Sequence, residues 1–76
     1  MYSRTTCGLC DEAREVILRA RGDHPFEYEE VYVDGDRQLE LAYGLRVPVV
    51  LVDGEEQFEL HVDPGRLRAV LGRLRD

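Results

Sequence analysis

The sequence predicts an α/β domain, a mixed four-stranded sheet flanked by helices on both faces, in the order β-α-β-α-β-β-α. Three observations carry this expectation: helical spacing of apolar residues after Cys10, an Asp53-Gly54 turn between two strand-like runs, and an Asp63-Pro64 start to a last amphipathic stretch. With 76 residues, a single domain over 1–76 is expected. A fold of that size buries only roughly 60 to 65% of its unfolded surface.

The first strand has only Met1 to Arg4 to draw on, so either it is unusually short or the natural start lies upstream. Ala13, Val16, Ile17 and Ala20 then recur at the spacing of one helix face. Asp11 and Glu12 suit the first turn of that helix, Arg19 and Arg21 its last, and Gly22 a left-handed stop, which places it at about residues 9 to 21. Phe26 to Asp34 reads as a strand by its aromatic and β-branched content. Asp34, Gly35 and Asp36 turn the chain into a short helix carrying Leu39, Leu41, Ala42 and Tyr43, which Gly44 ends.

Val47 to Val52 is a β-branched run, and Asp53-Gly54 favours a tight type I′ turn into an antiparallel partner, Glu55 to Leu60. Asp63 as N-cap and Pro64 as first helical residue open the last helix, with Leu67, Val70, Leu71 and Leu74 as its buried stripe. The first two strands, joined through a helix, should run parallel, and the hairpin adds an antiparallel half.

Composition excludes several function classes. A formal charge of -6 opposes nucleic acids and anionic lipid, because phosphate binding needs a basic face. The apolar run from Val47 to Val52 is far shorter than the roughly 20 residues that cross a bilayer. The opening MYSRTTC has no basic-then-apolar pattern, so no secretory leader is expected and the cytoplasm is the expected compartment. All ten basic residues are arginine. Glu27, Glu29 and Glu30 read as a solvated strand face, and Arg66, Arg68, Arg73 and Arg75 as the outer face of the last helix.

The two cysteines, Cys7 and Cys10, cannot staple a secreted scaffold, so their role is local. A Cys-x-x-Cys whose second member enters a helix puts the first sulfur beside unpaired backbone N–H groups, where an anion is favoured. Free cysteine titrates near about 8.5, whereas helix-terminal Cys-x-x-Cys sulfurs fall to roughly 3.5 to 7.5. A value near 7 would correspond to about 2 kcal/mol of thiolate stabilisation. Cys7 is therefore the expected attacking thiol. Cys10, one turn deeper and shielded by Val16 and its neighbours or by the sheet, is the resolving one. Gly8 and Leu9 permit a tight ring and offer a small apolar contact; Arg4 could add positive charge near the thiolate, while Asp11 opposes it.

Tyr2-Ser3-Arg4, Cys7-Gly8-Leu9-Cys10-Asp11-Glu12-Ala13 and Tyr43-Gly44-Leu45-Arg46-Val47-Pro48-Val49, taken together, make the chain resemble the glutaredoxin-like branch of the thioredoxin superfamily, specifically its short bacterial members with a CxLC site. The resemblance covers essentially the whole chain. It implies a thioredoxin-like fold and disulfide oxidoreductase activity. It further implies that Pro48 is a cis-proline facing the sulfurs and that the Val47 backbone pairs with an incoming peptide or thiol tripeptide. Arg46 stands where the family usually carries threonine, and Leu60-His61-Val62-Asp63-Pro64-Gly65 where it carries a Gly-rich turn with aspartate, so glutathione binding does not follow from the resemblance. The substrate side is expected at Arg4, Gly8, Leu9, Arg46, Val47 and Pro48. Gly-Leu replaces the usual dipeptide between the cysteines, so the family's redox poise, roughly -200 to -230 mV, does not transfer.

No bound cofactor is expected, with glutathione or another low-molecular-weight thiol as a possible co-substrate. The expected partners are a disulfide-containing protein or small-thiol disulfide and a reductase or thiol for recycling, and the expected state is a monomer. Two rival readings are a non-catalytic module holding an extended peptide along Val47-Pro48, and metal or iron-sulfur carriage through Cys7. Zinc is disfavoured because His24 and His61 lack finger spacing and read as loop or surface residues. Tyr2 and Tyr43 read as buried rings with hydroxyls at the surface, and Phe58 as core or hairpin cover.

Overall fold

A computed structural model describes residues 1–74, without the side chain of Leu74. The expected places of the Leu74 side chain and of Arg75 lie outside the described residues. In chain order the elements are β1 (Tyr2–Ser3), α1 (Gly8–Ala20), β2 (Val31–Tyr32), α2 (Arg37–Tyr43), β3 (Val49–Val52), β4 (Glu55–Glu59) and α3 (Pro64–Leu74). The sheet runs β2-β1-β3-β4, with β1 and β2 parallel and the other pairs antiparallel. The chain order of the elements and the mixture of parallel and antiparallel pairs are those predicted.

Alternation along the strands divides the core in two. Val50 and Phe58, directly paired across β3 and β4, face a cluster built with Ala13, Ile17 and Ala20 of α1 and Leu67 and Leu71 of α3. A second, smaller cluster joins Cys10, Val33 and Val47 to Tyr2, Leu39, Tyr43 and Cys7. Leu39 and Tyr43 bring α2 into it. Val16 belongs to the first cluster, whereas Cys10 clusters with Val33 and Val47, so of the two expected sources of its shielding it is the sheet side and not Val16 that supplies it.

Three boundaries differ from expectation for identifiable reasons. β2 is confined to Val31–Tyr32 because β1, its only sheet neighbour among the described residues, offers two residues; the Val31 and Val33 amides donate to the carbonyls of Met1 and Ser3. Phe26 and Tyr28, expected in that strand, lie outside it and pack against the larger core from an irregular segment. β3 begins at Val49 because Pro48 has no N–H to offer a ladder. Helix α1 begins at Gly8 and does not end in a left-handed glycine. Among the described residues the positive-φ glycines are Gly35 and Gly54, and the chain leaves α1 through a turn in which Asp23 and His24 donate to the Ala20 carbonyl.

The other turn chemistry is as read. Asp53 and Gly54 both have positive φ, the Asp36 side chain caps α2 by accepting the Leu39 N–H at 3.1 Å, and the Asp63 carboxylate accepts the Arg66 N–H at 2.9 Å at the start of α3.

One carboxylate read as solvated is structural. Glu30 accepts two hydrogen bonds from Arg14 (2.7 and 2.6 Å), one from the fully buried Ser3 hydroxyl (2.7 Å) and one from the Tyr28 hydroxyl (2.8 Å). Its side chain is 11% exposed. Placing a carboxylate there without partners would be costly, and the Arg14 fork supplies them. Glu27 and Glu29 are exposed, in keeping with the solvated reading.

Candidate active site: a disulfide at the start of the first helix

Cys7 and Cys10 form a disulfide, with their Cα atoms 5.2 Å apart. Cys7 is the N-cap of α1: its backbone is extended (φ -153°, ψ 107°), its carbonyl accepts the Asp11 N–H, and its sulfur accepts the Cys10 N–H at 3.1 Å. One of the orphan amides of the first turn, that of Cys10, is thus met by sulfur, because a residue with a side-chain acceptor occupies the cap and helix-permissive residues follow it. The two sulfurs differ in access. Cys10 is fully buried, whereas Cys7 is half-buried with Gly8 and Leu9 exposed beside it.

The loop before Cys7 is held from the other side of the site. The Asp34 carboxylate accepts from the Thr5 N–H (3.0 Å) and hydroxyl (3.2 Å), tying the β1–α1 loop to the turn after β2. Sequence reasoning took Asp34 as a turn residue only. An aspartate followed by the flexible Gly35 carries no signal of what it reaches across the fold.

Val47 is buried against the cysteines, and the Val47–Pro48 peptide bond is cis, with Pro48 fully buried. Tyr2 and Tyr43 stack with ring centroids 4.1 Å apart and planes 11° from parallel, beside the same cluster. Cys7, Cys10 and Val47 are therefore brought together, with Pro48 next in chain.

The two arginines point elsewhere. Arg4 donates to the Gly44 carbonyl (3.1 Å) and pairs with Glu40 (2.8 Å), fastening β1 to the end of α2. Arg46 pairs with Glu56 and Glu59, donates to the Ala42 carbonyl at 3.0 Å, and lies 5.5 Å from the Tyr43 ring centroid. Glu56, and then Glu59, hold the Arg46 guanidinium above its ordinary pKa. Gly44, read as a helix terminator, is buried in right-handed conformation; a Cβ there would lie 2.6 Å from an Arg4 guanidinium nitrogen and 2.6 Å from the Glu40 carbonyl oxygen. The glycine is required by close approach, a signal absent from the local pattern.

His61 is exposed, while His24 is partly buried with an Nδ1 that has no hydrogen-bond partner among the described residues.

A mixed four-stranded sheet with three helices and a Cys-x-x-Cys disulfide at the head of the first helix defines the thioredoxin-like class, and within it a redox-type site. The sequence matches the Glutaredoxin-like domain family (DUF836) over residues 1–72, and the chain belongs to that family. It is 32% identical to uncharacterized proteins of Mycobacterium tuberculosis and Mycobacterium bovis, over 96% of this chain and 80% of each of theirs. The X-ray structure of target protein XcR50 from X. campestris superposes with a TM-score of 0.80 at 40% identity, covering 95% of this chain and 92% of that one. The solution structure of the same target gives 0.77, also at 40% identity, over 96% and 90%.

Proposed function

We propose that the protein is a thiol–disulfide oxidoreductase in which Cys7 attacks and Cys10 resolves. The observation that carries this reading is the asymmetry of the pair: Cys7 is half-buried and its sulfur accepts a first-turn N–H of α1, while Cys10 is fully buried. A thiolate at the Cys7 position is favoured by the helix terminus, and the buried thiol holds its proton until needed.

In the reducing direction, the Cys7 thiolate attacks one sulfur of a substrate disulfide. The new Cys7–substrate bond forms as the substrate S–S bond breaks, and the departing thiolate takes up a proton. Cys10 then loses its proton and attacks the Cys7 sulfur, releasing the second substrate thiolate, which is protonated in turn. Two electrons and two protons pass to the substrate, and the Cys7–Cys10 disulfide remains. A small thiol or a reductase restores the dithiol by the reverse exchange, in the cytoplasm, with no resident cofactor in the cycle. Val47, beside both cysteines, is the backbone against which the substrate would lie.

The test is the rate of Cys7 alkylation against pH in a Cys10→Ala variant, alanine being chosen because the position is fully buried. The expected midpoint is about pH 7, within the range of helix-terminal Cys-x-x-Cys thiols. A midpoint at the free-cysteine value, near about 8.5, overturns the reading.

A further inference from the structure

Val47 and Pro48 lie in the connection between α2 and β3, outside any helix or strand, and what holds them there defines the role of Arg46, an inference that rests on the exchange reading above. Val47 packs on the cysteines. The carbonyls on either side of it, those of Arg46 and Pro48, both accept the Leu60 N–H, at 3.2 and 2.9 Å. One shared amide is a slender tether for a residue against which a substrate must lie.

The Arg46 side chain adds a second and broader one. Its guanidinium reaches forward to Glu56 and Glu59 of β4 and back to the Ala42 carbonyl of α2, at 3.0 Å, and it lies 5.5 Å from the Tyr43 ring centroid. Tyr43 carries that contact inward, because its ring stacks on Tyr2 and both rings pack on the cluster that holds Cys10 and Val47.

The carboxylate pair that receives Arg46 depends on an irregularity of the sheet. Glu56 and Glu59 are three positions apart, a spacing that sets side chains on opposite faces of a regular strand. The ladder slips between them: Val50 pairs with Phe58 but Leu51 with Glu56, which leaves Gln57 as the extra residue of a β-bulge. Glu56 is thereby turned to the side of Glu59, and both accept from one guanidinium nitrogen. Two carboxylates brought together in this way repel unless a cation stands between them.

We propose that Arg46 is a positioning residue for disulfide exchange: it sets Val47 against the cysteines by clamping the α2–β3 connection to the bulged strand β4, and it does not bind the anionic groups of a substrate. Both of its terminal nitrogens are engaged within the fold, by Glu56, Glu59 and Ala42, so the positive charge beside the site is already neutralised.

The experiment uses the pre-reduced protein, which carries the two electrons needed, in single turnovers with glutathione disulfide, an anion, and with cystamine, a cation. Alkylation of Cys7 by iodoacetamide is the control, since that small neutral reagent needs no contact with Val47. Arg46→Ala and the double variant Glu56→Gln/Glu59→Gln are each expected to slow both disulfides by about fivefold, the scale of an exposed ion-pair network, with the alkylation rate and its pH midpoint unchanged. A mere change of local charge would instead move the two probes in opposite directions. Arg46→Lys should recover part of the loss, because an ammonium can meet the carboxylates but lacks the planar fork that also reaches Ala42 and Tyr43. Arg46 is partly exposed, so the variants should fold; hydrogen exchange at the Leu60 amide should quicken in Arg46→Ala while that of the buried Leu71 stays as it was. Undiminished exchange rates, an unchanged Leu60 amide, a parallel fall in alkylation, or a double variant that reacts faster with glutathione disulfide overturns the inference while leaving disulfide exchange standing. If the wild type reduces neither disulfide, the exchange reading falls and this inference with it.

Discussion

Arg14 and Glu30 are joined by two hydrogen bonds of 2.7 and 2.6 Å, so the middle of α1 and the residue before β2 share one fork, with Ser3 of β1 held to the same carboxylate. Removing the arginine would leave a nearly buried carboxylate with only two hydroxyl donors. Breaking such a pair costs roughly 3 to 5 kcal/mol when both members are buried; with Arg14 30% exposed, about 2 kcal/mol is the expected loss for Arg14→Ala. Urea unfolding measures it, and a change under about 0.5 kcal/mol, typical of a plain surface site, would contradict the role.

The same fork sets an acid limit on stability. Hydrogen bonding from Arg14, reinforced by Ser3 and Tyr28, holds the Glu30 carboxyl at about 2, below its ordinary value of 4.5. A depressed folded-state pKa means that the charged carboxylate favours the fold. That contribution is complete above the unfolded value and disappears as the pH falls from about 5 toward about 2. Wild type and Glu30→Gln should therefore show urea midpoints separated by a constant interval above about pH 5.5, with the interval narrowing as the solution is acidified. Parallel curves across the whole range would show that Glu30 is not the group responsible.

The contrast between Cys7 and Glu30 explains what could be read from the chain and what could not. The Cys-x-x-Cys segment, the Asp53-Gly54 turn and the Asp63-Pro64 start are local devices: each depends on neighbours in sequence, and each appears where expected. Glu30, Asp34, Gly44 and Arg46 act over separations of many residues, with partners Arg14, Thr5, Arg4 and Glu56. Nothing in the vicinity of a glutamate announces that a helix residue will meet it in the fold. Strand length failed for a related reason, since the extent of β2 is set by its partner β1 and not by its own β-branched content. At the site, the cysteine pair and its place at a helix start were legible, whereas the engagement of both nearby arginines was not.

Gly44 gives a prediction on the route from α2 to Val47. An alanine there would put its Cβ 2.6 Å from the Glu40 carbonyl oxygen and 2.6 Å from an Arg4 nitrogen. The side-chain end can swing away but the carbonyl cannot, so Gly44→Ala should cost about 2 kcal/mol, as overpacking of a tight site does. Adding Arg4→Ala relieves one of the two collisions, and thermal melts of the four proteins in that cycle should show only partial rescue. Full recovery in the double variant would mean that the backbone contact is harmless.

Cys7 has a structural duty separable from its chemistry. Its sulfur accepts the Cys10 N–H and its backbone has the extended shape of an N-cap, so a hydroxyl in its place can take over the hydrogen bond whereas a methyl cannot. In a common Cys10→Ala background, where no disulfide can form, Cys7→Ser should therefore be more stable than Cys7→Ala by about 1 kcal/mol, the usual worth of such a cap. Both lack the sulfur nucleophile, and both should be inert toward any disulfide. For a domain this small the stability gap corresponds to roughly 4 to 8 °C in melting temperature, well within the reach of a thermal scan. Equal stabilities would show that α1 starts without help from its first cysteine, and the case for a sulfur held by helix amides would lose its structural footing.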